Sequence, residues 1–259
     1  IALGIDVEDW YKKKEYSILI PKQDYLDNLV WMYNCITQYN IQGLEDLKSF
    51  IEKKYSTLFH EIYGSHMDYK EIKYIIEKAQ KRYKKIGVLQ TLINDRYNFG
   101  IFQYYMAWQI RGDEPDLYKH GYFQRDERDY LGLTEYYVNQ RFPKDFSVRY
   151  MPEVFLLNYY YHFNNKVRRE GRKRIEVFIK PSYIKGVSLI QKEMQKRIAS
   201  KGIAIETNPS SNYLISNFKS YGKHPIFKLY NKGLLKNNEK DELHQLSVSV
   251  NTDDLGVFS

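Results

Sequence analysis

The chain has 259 residues, 43% of them hydrophobic, and a formal net charge of +8; that size and apolar share support a folded core and exclude a disordered chain. One cysteine, Cys35, excludes an internal disulfide and any multi-cysteine zinc site. No apolar run approaches the roughly 20 residues of a membrane span and no secretory signal is visible, so the expectation is a cytoplasmic protein with no membrane partner. The basic balance suits an anionic partner such as a nucleotide or RNA. The 26 tyrosines suit a wet edge or a subunit interface, because each ring carries a hydroxyl.

In chain order, Ile1-Ala2-Leu3-Gly4-Ile5-Asp6 reads as the end of a strand running into an acidic loop. From Gln23, the spacing of Leu26, Leu29, Val30, Tyr33 and Ile36 predicts a helix, with Cys35 as a buried, inert thiol. A longer amphipathic helix is expected from Leu44 to Ile62. A third starts at Asp68, which with Glu71 forms a capping-box-like pair. Leu89 to Gln109 reads as helical and strongly aromatic, and Gly112 to Pro152 as an irregular connector rich in Gly and Pro. Glu153 to Arg169 is helical again; its run Tyr159-Tyr160-Tyr161 cannot face one way and is expected to bridge two packed surfaces. The basic run Arg168 to Arg174 reads as a solvated helix end unless its side chains converge.

The character changes after Arg174. Ile175 to Ile179 is a short predicted strand, Ile184 to Ser200 an amphipathic helix closed by Lys201-Gly202, and Ile203 to Thr207 a second strand. A last strand, Leu246 to Val250, ends at Asn251. Helix followed by strand over short links is the grammar of a parallel α/β sheet or barrel.

Two of these strand ends are loaded with polar groups: Thr207-Asn208-Pro209-Ser210-Ser211-Asn212 and Asn251-Thr252-Asp253-Asp254. Functional side chains of (β/α)8 barrels stand where strands end. Adjacent carboxylates there repel unless a cation or donors compensate, which suits one metal ligand beside one hydrogen-bond acceptor. Together with His224-Pro225-Ile226 between them, these segments resemble the adenosine deaminase branch of the amidohydrolase superfamily. The resemblance covers roughly residues 184–259.

The resemblance implies an α/β fold: the C-terminal strands of a metal-dependent (β/α)8 barrel carrying a large, mostly helical insertion. Residues 1–6 would then be the end of a barrel strand, 7–180 the insertion, and 181–259 the last strands and helices of an incomplete barrel. It implies Zn2+ as cofactor, Asp253 as a metal ligand and Asp254 as the substrate-binding acid that hydrogen-bonds the purine. Asn212 and Thr252 match positions that shape the turns, and His224 a structural residue at a helix start. Leu255 stands where the family usually has Pro.

The implied chemistry is hydrolytic conversion of adenine to hypoxanthine in adenosine or an adenine nucleotide. The family's His-x-His and His-Ala-Gly-Glu segments are absent among His60, His66, His120, His162, His224 and His244. No catalytic residue is therefore assigned, and the segment is expected to be inactive unaided, with the remaining ligands upstream of Ile1. The long, tyrosine-rich insertion is similar to that of the large deaminase subunit of the RADAR phage-defence system. That likeness implies a large homo-oligomer, an ATPase partner and a role in antiviral defence. The alternatives are a catalytically inactive assembly module and a nucleic-acid-binding subunit.

Overall fold

The computed structural model describes residues 17–68, 70–75, 99–113, 115, 148, 151–210, 220, 222, 224–230 and 246–251. They belong to two compact units. One draws on Leu19–Asn34 and Lys48–Glu176, the other on Ile1–Ile18, Cys35–Leu47 and Val177–Ser259.

The first unit is helical. A strand β1, Ser17–Pro21, leads into helix α1, Lys22–Gln38, with Asp24 in its first turn where the helix dipole favours an acid. Leu26, Leu29 and Val30 lie on the buried face of α1 with no exposed surface. Each such side chain removed from water contributes about 1.5–3 kcal/mol before ordering costs. Helix α2, Glu45–Phe59, buries Ile51, Tyr55 and Leu58, then widens into a π-helical turn, His60–Gly64. The expected single helix to Ile62 therefore changes its winding at His60, which turns Ile62 and Tyr63 into the core.

Helix α3, Ile101–Gln109, packs along α4, Pro152–Phe163. Of the helix expected from Leu89 to Gln109, residues 89–98 lie outside the described ones; the described part begins only at Ile101, after a non-helical Phe99 and an extended Gly100 (φ −72°, ψ 171°). The Phe99 carbonyl, freed from helix bonding, accepts from Tyr55 Oη at 2.6 Å. The expected helix from Glu153 to Arg169 is two. It breaks at Asn164, whose Oδ1 accepts from the N–H groups of Lys166 and Val167 (3.0 and 3.1 Å) and so starts helix α5, Asn165–Arg172. Asp68 starts the helical residues 70–75 by accepting from Lys70 N–H at 3.1 Å. Glu71 does not complete a box with it; the Glu71 carboxylate instead accepts from Tyr160 Oη at 3.1 Å.

The three consecutive tyrosines do diverge: Tyr160 is fully buried, Tyr159 packs on Phe163, and the Tyr161 ring carries the Arg111 guanidinium 4.1 Å from its centroid. Strand β2, Arg174–Phe178, follows α5 and pairs with β1. The chain thus enters and leaves this run of helices through two strands lying side by side. Lys22 N–H donates to the Lys173 carbonyl at 2.9 Å just beyond them.

The second unit holds helix α6, Pro181–Ser200, strand β3, Ala204–Thr207, the short helix α7, Ile226–Leu229, and strand β4, Ser247–Val250. Proline at the first position of α6 suits a residue with no N–H to satisfy. The helix ends at Gly202 (φ +64°), with Gly202 N–H bonding the Ala199 carbonyl and Ile203 N–H that of Ile198. This is the glycine closure expected from Lys201-Gly202. Residues 39–41 end α1 in the same geometry, with Asn40 (φ 51°) in the left-handed position. The Arg197 guanidinium lies 4.2 Å from the Tyr39 ring centroid and joins the two closures. Among the described residues no helix is long and apolar enough to cross a membrane.

Candidate functional site

β3 and β4 pair in parallel, in the register Ala204↔Ser247 to Thr207↔Val250. The two polar segments singled out from sequence therefore begin at the same end of the same pair, where both strands finish. Three contacts hold that end together. Asn251 N–H donates to the Thr207 carbonyl at 2.9 Å, and Thr207 Oγ1 donates to the Ser249 carbonyl at 3.0 Å. The Asn208 amide lies 3.2 Å from the carbonyl oxygens of Thr207 and Asn251; both are acceptors, so its nitrogen faces them. Asn208 thus clamps the first residue after β3 to the first residue after β4. Its motif was visible in sequence, but this clamping role was not, since it depends on which strands are neighbours.

His224 is buried beside this strand pair's connection. Its Nδ1 accepts from Ile226 N–H at 3.1 Å, at the start of α7. An imidazole that accepts through Nδ1 carries its proton on Nε2, and burial lowers its pKa, so it stays neutral. These are the properties of a helix cap. α7 in turn positions β4, because Leu246 N–H donates to the Leu229 carbonyl at 3.0 Å.

Asp253 and Asp254, with Thr252, Ser211 and Asn212, lie outside the described residues, as do His120 and His244. Among the described residues no three His, Cys, Asp or Glu side chains converge to hold a metal. The described donors at the strand end are amides and hydroxyls rather than zinc ligands. Those described donors alone would not hold the implied zinc ion. Cys35 is buried and its thiol is pushed up to about 11 by burial, away from the thiolate a metal or a nucleophile requires.

The strongest electrostatics belong to the helical unit. Arg111 Nη1 pairs with Asp27 Oδ2 at 2.6 Å, and its Nη2 donates to Tyr104 Oη at 2.7 Å. Tyr104 Oη donates to Asp27 Oδ1 at 2.7 Å, and Gln23 links Asp27 and Tyr104 to Tyr63. Burial pushes the Tyr63 phenol up to about 12 and that of Tyr104 up as well, so both remain protonated donors. The carboxylate accepts three bonds and the guanidinium is shared between partners, which is what a charge pair withdrawn from water requires. Sequence alone did not reveal this network, because its members are spread from Gln23 to Arg111 without a common motif.

No family model matches the chain. A stretch of 74 residues is 39% identical to an adenosine deaminase of Plasmodium gallinaceum. The chain is similar to a deaminase. The match takes in 28% of this chain and 17% of the length of that deaminase.

Proposed function

We propose that the chain is part of a zinc-dependent hydrolytic deaminase acting on the adenine ring of a nucleoside or nucleotide. In this reading β3 and β4 are the last two strands of its (β/α)8 barrel. The observation that carries the proposal is the parallel pairing that ends both motif-bearing segments side by side, clamped by Asn208. Sites of parallel α/β folds are built at the C-terminal ends of adjacent strands. The partial likeness to an adenosine deaminase supports a deaminase-like chemistry for the chain. Val250 of β4 is 60% exposed, although strands of parallel sheets are ordinarily covered on both faces; further barrel elements over this pair would account for that exposure.

On this proposal Asp253 is the aspartate ligand of the zinc and Asp254 accepts a hydrogen bond from the purine, while the histidine ligands come from outside residues 1–259. Bound zinc would supply a water ionised near neutral pH. The side-by-side β1 and β2 fit a helical insertion grafted between two barrel elements, since an insertion is tolerated when its ends lie close. The proposal extends to a cytoplasmic, large homo-oligomer working beside an ATPase in antiviral defence, with adenosine, an adenine nucleotide or RNA as substrate.

The test is Asp253→Ala in the full-length protein, measured by zinc content and by ammonia release from adenosine and adenine nucleotides. Loss of both is expected. Full zinc content in that variant would sink the ligand assignment, and no ammonia from the unmodified protein on any of these substrates would sink the deaminase reading.

A further inference from the structure

The basic run that sequence left as a solvated helix end does converge in part. Arg168 and Arg172 stand four residues apart on α5, on one face of the helix, and both line a cavity of about 560 Å³ in the helical unit. Tyr161 and His162 enter it from the last turn of α4, and Gln23 and Asp24 from the first turn of α1. Beside the cavity α5 packs closely on α1: a Cβ on Gly171 would lie 3.2 Å from Gln23 Cβ. A volume of this size suits one small organic ligand rather than a polymer.

The charges in this region divide into two kinds. Lys22 and Lys173 are neutralised by Glu170, Lys22 also by Glu61, and Arg111 by Asp27. Arg168 and Arg172, which line the cavity, make no ion pair with any described residue, so their charge is not neutralised among the described residues. The imidazole of His162 reflects this setting: burial lowers its pKa first, then the positive charges of Arg111 and Arg168, while Asp113 acts the other way. Across the cavity, the Asp24 carboxyl is raised, by burial first and then by Asp27, against the pull of Arg111 and Arg174. The lining therefore offers two cations and a carboxyl. A bare polyanion satisfies only the cations, whereas a phosphate ester carrying hydroxyl or amino donors satisfies both.

We propose that this cavity binds a small phosphate monoester, its phosphate held between Arg168 and Arg172 and its hydroxyl or amino groups against Asp24. Guanidinium pairs are matched to phosphate oxygens in both charge and fork geometry. Both arginines are exposed and support no described packing, so their removal leaves the fold intact.

Calorimetric titration of the chain with ribose 5-phosphate, AMP, inorganic phosphate and adenosine tests the site. Saturable binding of the two esters is expected, with inorganic phosphate weaker and adenosine weakest. In Arg168→Gln/Arg172→Gln the ester affinity should fall about tenfold or more, the scale of losing charge-assisted hydrogen bonds. Lys166→Gln/Arg169→Gln removes the same charge from the same helix without touching the cavity, and should stay within about twofold of the parent. Thermal unfolding of both variants checks that they are folded. An equal loss in the two double variants, or no saturable binding of either ester at millimolar concentration, overturns the proposal. So does a short single-stranded RNA that binds more tightly than both esters and is weakened alike by both variants, because that is the behaviour of a diffuse basic face.

Discussion

The helical unit and the strand pair β3–β4 satisfy their polar groups at very different depths. In the helical unit a carboxylate, a guanidinium, two phenols and an amide are withdrawn from water and bonded to one another around Asp27. At the ends of β3 and β4 the bonds are short-range links among backbone carbonyls, one hydroxyl and one amide, with exposed apolar side chains nearby. The first arrangement makes an interior rigid and specific, because each member depends on the others. The second holds the strand ends, among the described residues, through a few local links. Among the described residues, the densest charge network therefore belongs to the helical unit, and the strand ends are held by short local links.

The most forceful way to break that contrast is to open the Asp27 network. Arg111→Met leaves the Asp27 carboxylate withdrawn from water with only neutral donors, and a loss of about 3–5 kcal/mol is expected. Asp27→Leu added to it removes the stranded charge and should recover much of the loss, a sign that the single variant suffers from an orphaned ion rather than from missing volume. Denaturant unfolding of the two variants decides the matter: if the double variant is no more stable than the single, the network is ordinary packing.

Where sequence was informative, a local rule decided the outcome. The end of α6 was legible because Gly202 is the residue that takes the left-handed position without penalty, and the start at Pro181 lies only a turn before the first apolar position. The break at Asn164 was not, because strong apolar and aromatic periodicity runs across it, and it is decided by the Asn164 side chain turning back on its own backbone. Strand β1, Ser17–Pro21, went unnoticed because a five-residue strand is specified by its partner, and β2 lies more than 150 residues on. At the candidate site the motifs were legible, while their adjacency required the pairing of β3 with β4. Asp253 and Asp254 lie outside the described residues, so their part in the site rests on the motif.

A gentler perturbation sharpens the other half of the contrast. Asn208→Ala removes a donor shared between the Thr207 and Asn251 carbonyls and should cost about 1–2 kcal/mol locally. Asn208→Asp should be worse than alanine, since it sets a carboxylate oxygen against two carbonyl oxygens. Hydrogen exchange at the Asn251 amide, which bonds Thr207, reports on both. If Asp and Ala exchange alike, the Asn208 side chain does not clamp the strand ends.

The smallest effect expected is at Glu170, and pH distinguishes it from the buried network. Its carboxyl is held down to about 2, from an ordinary 4.5, by hydrogen bonds from Lys173 and then from Lys22. A depressed acid contributes its stability above its unfolded pKa and loses it as pH falls through its folded one. The Glu170 contribution is thus full above about pH 4.5 and gone near pH 2. Lys173 is largely exposed, so water screens part of the attraction, and Glu170→Gln should cost only about 1 kcal/mol at neutral pH. The parent and variant unfolding curves should converge as the solution is acidified through that window. Lys22 gives the opposite sign at the other extreme: Glu170 and Glu61 raise its pKa, so its contribution persists through neutral pH and is lost only as pH rises past its elevated value. A Glu170→Gln difference that stayed constant from neutral to strongly acid solution would mean that the glutamate acts through packing against α1 rather than through its charge.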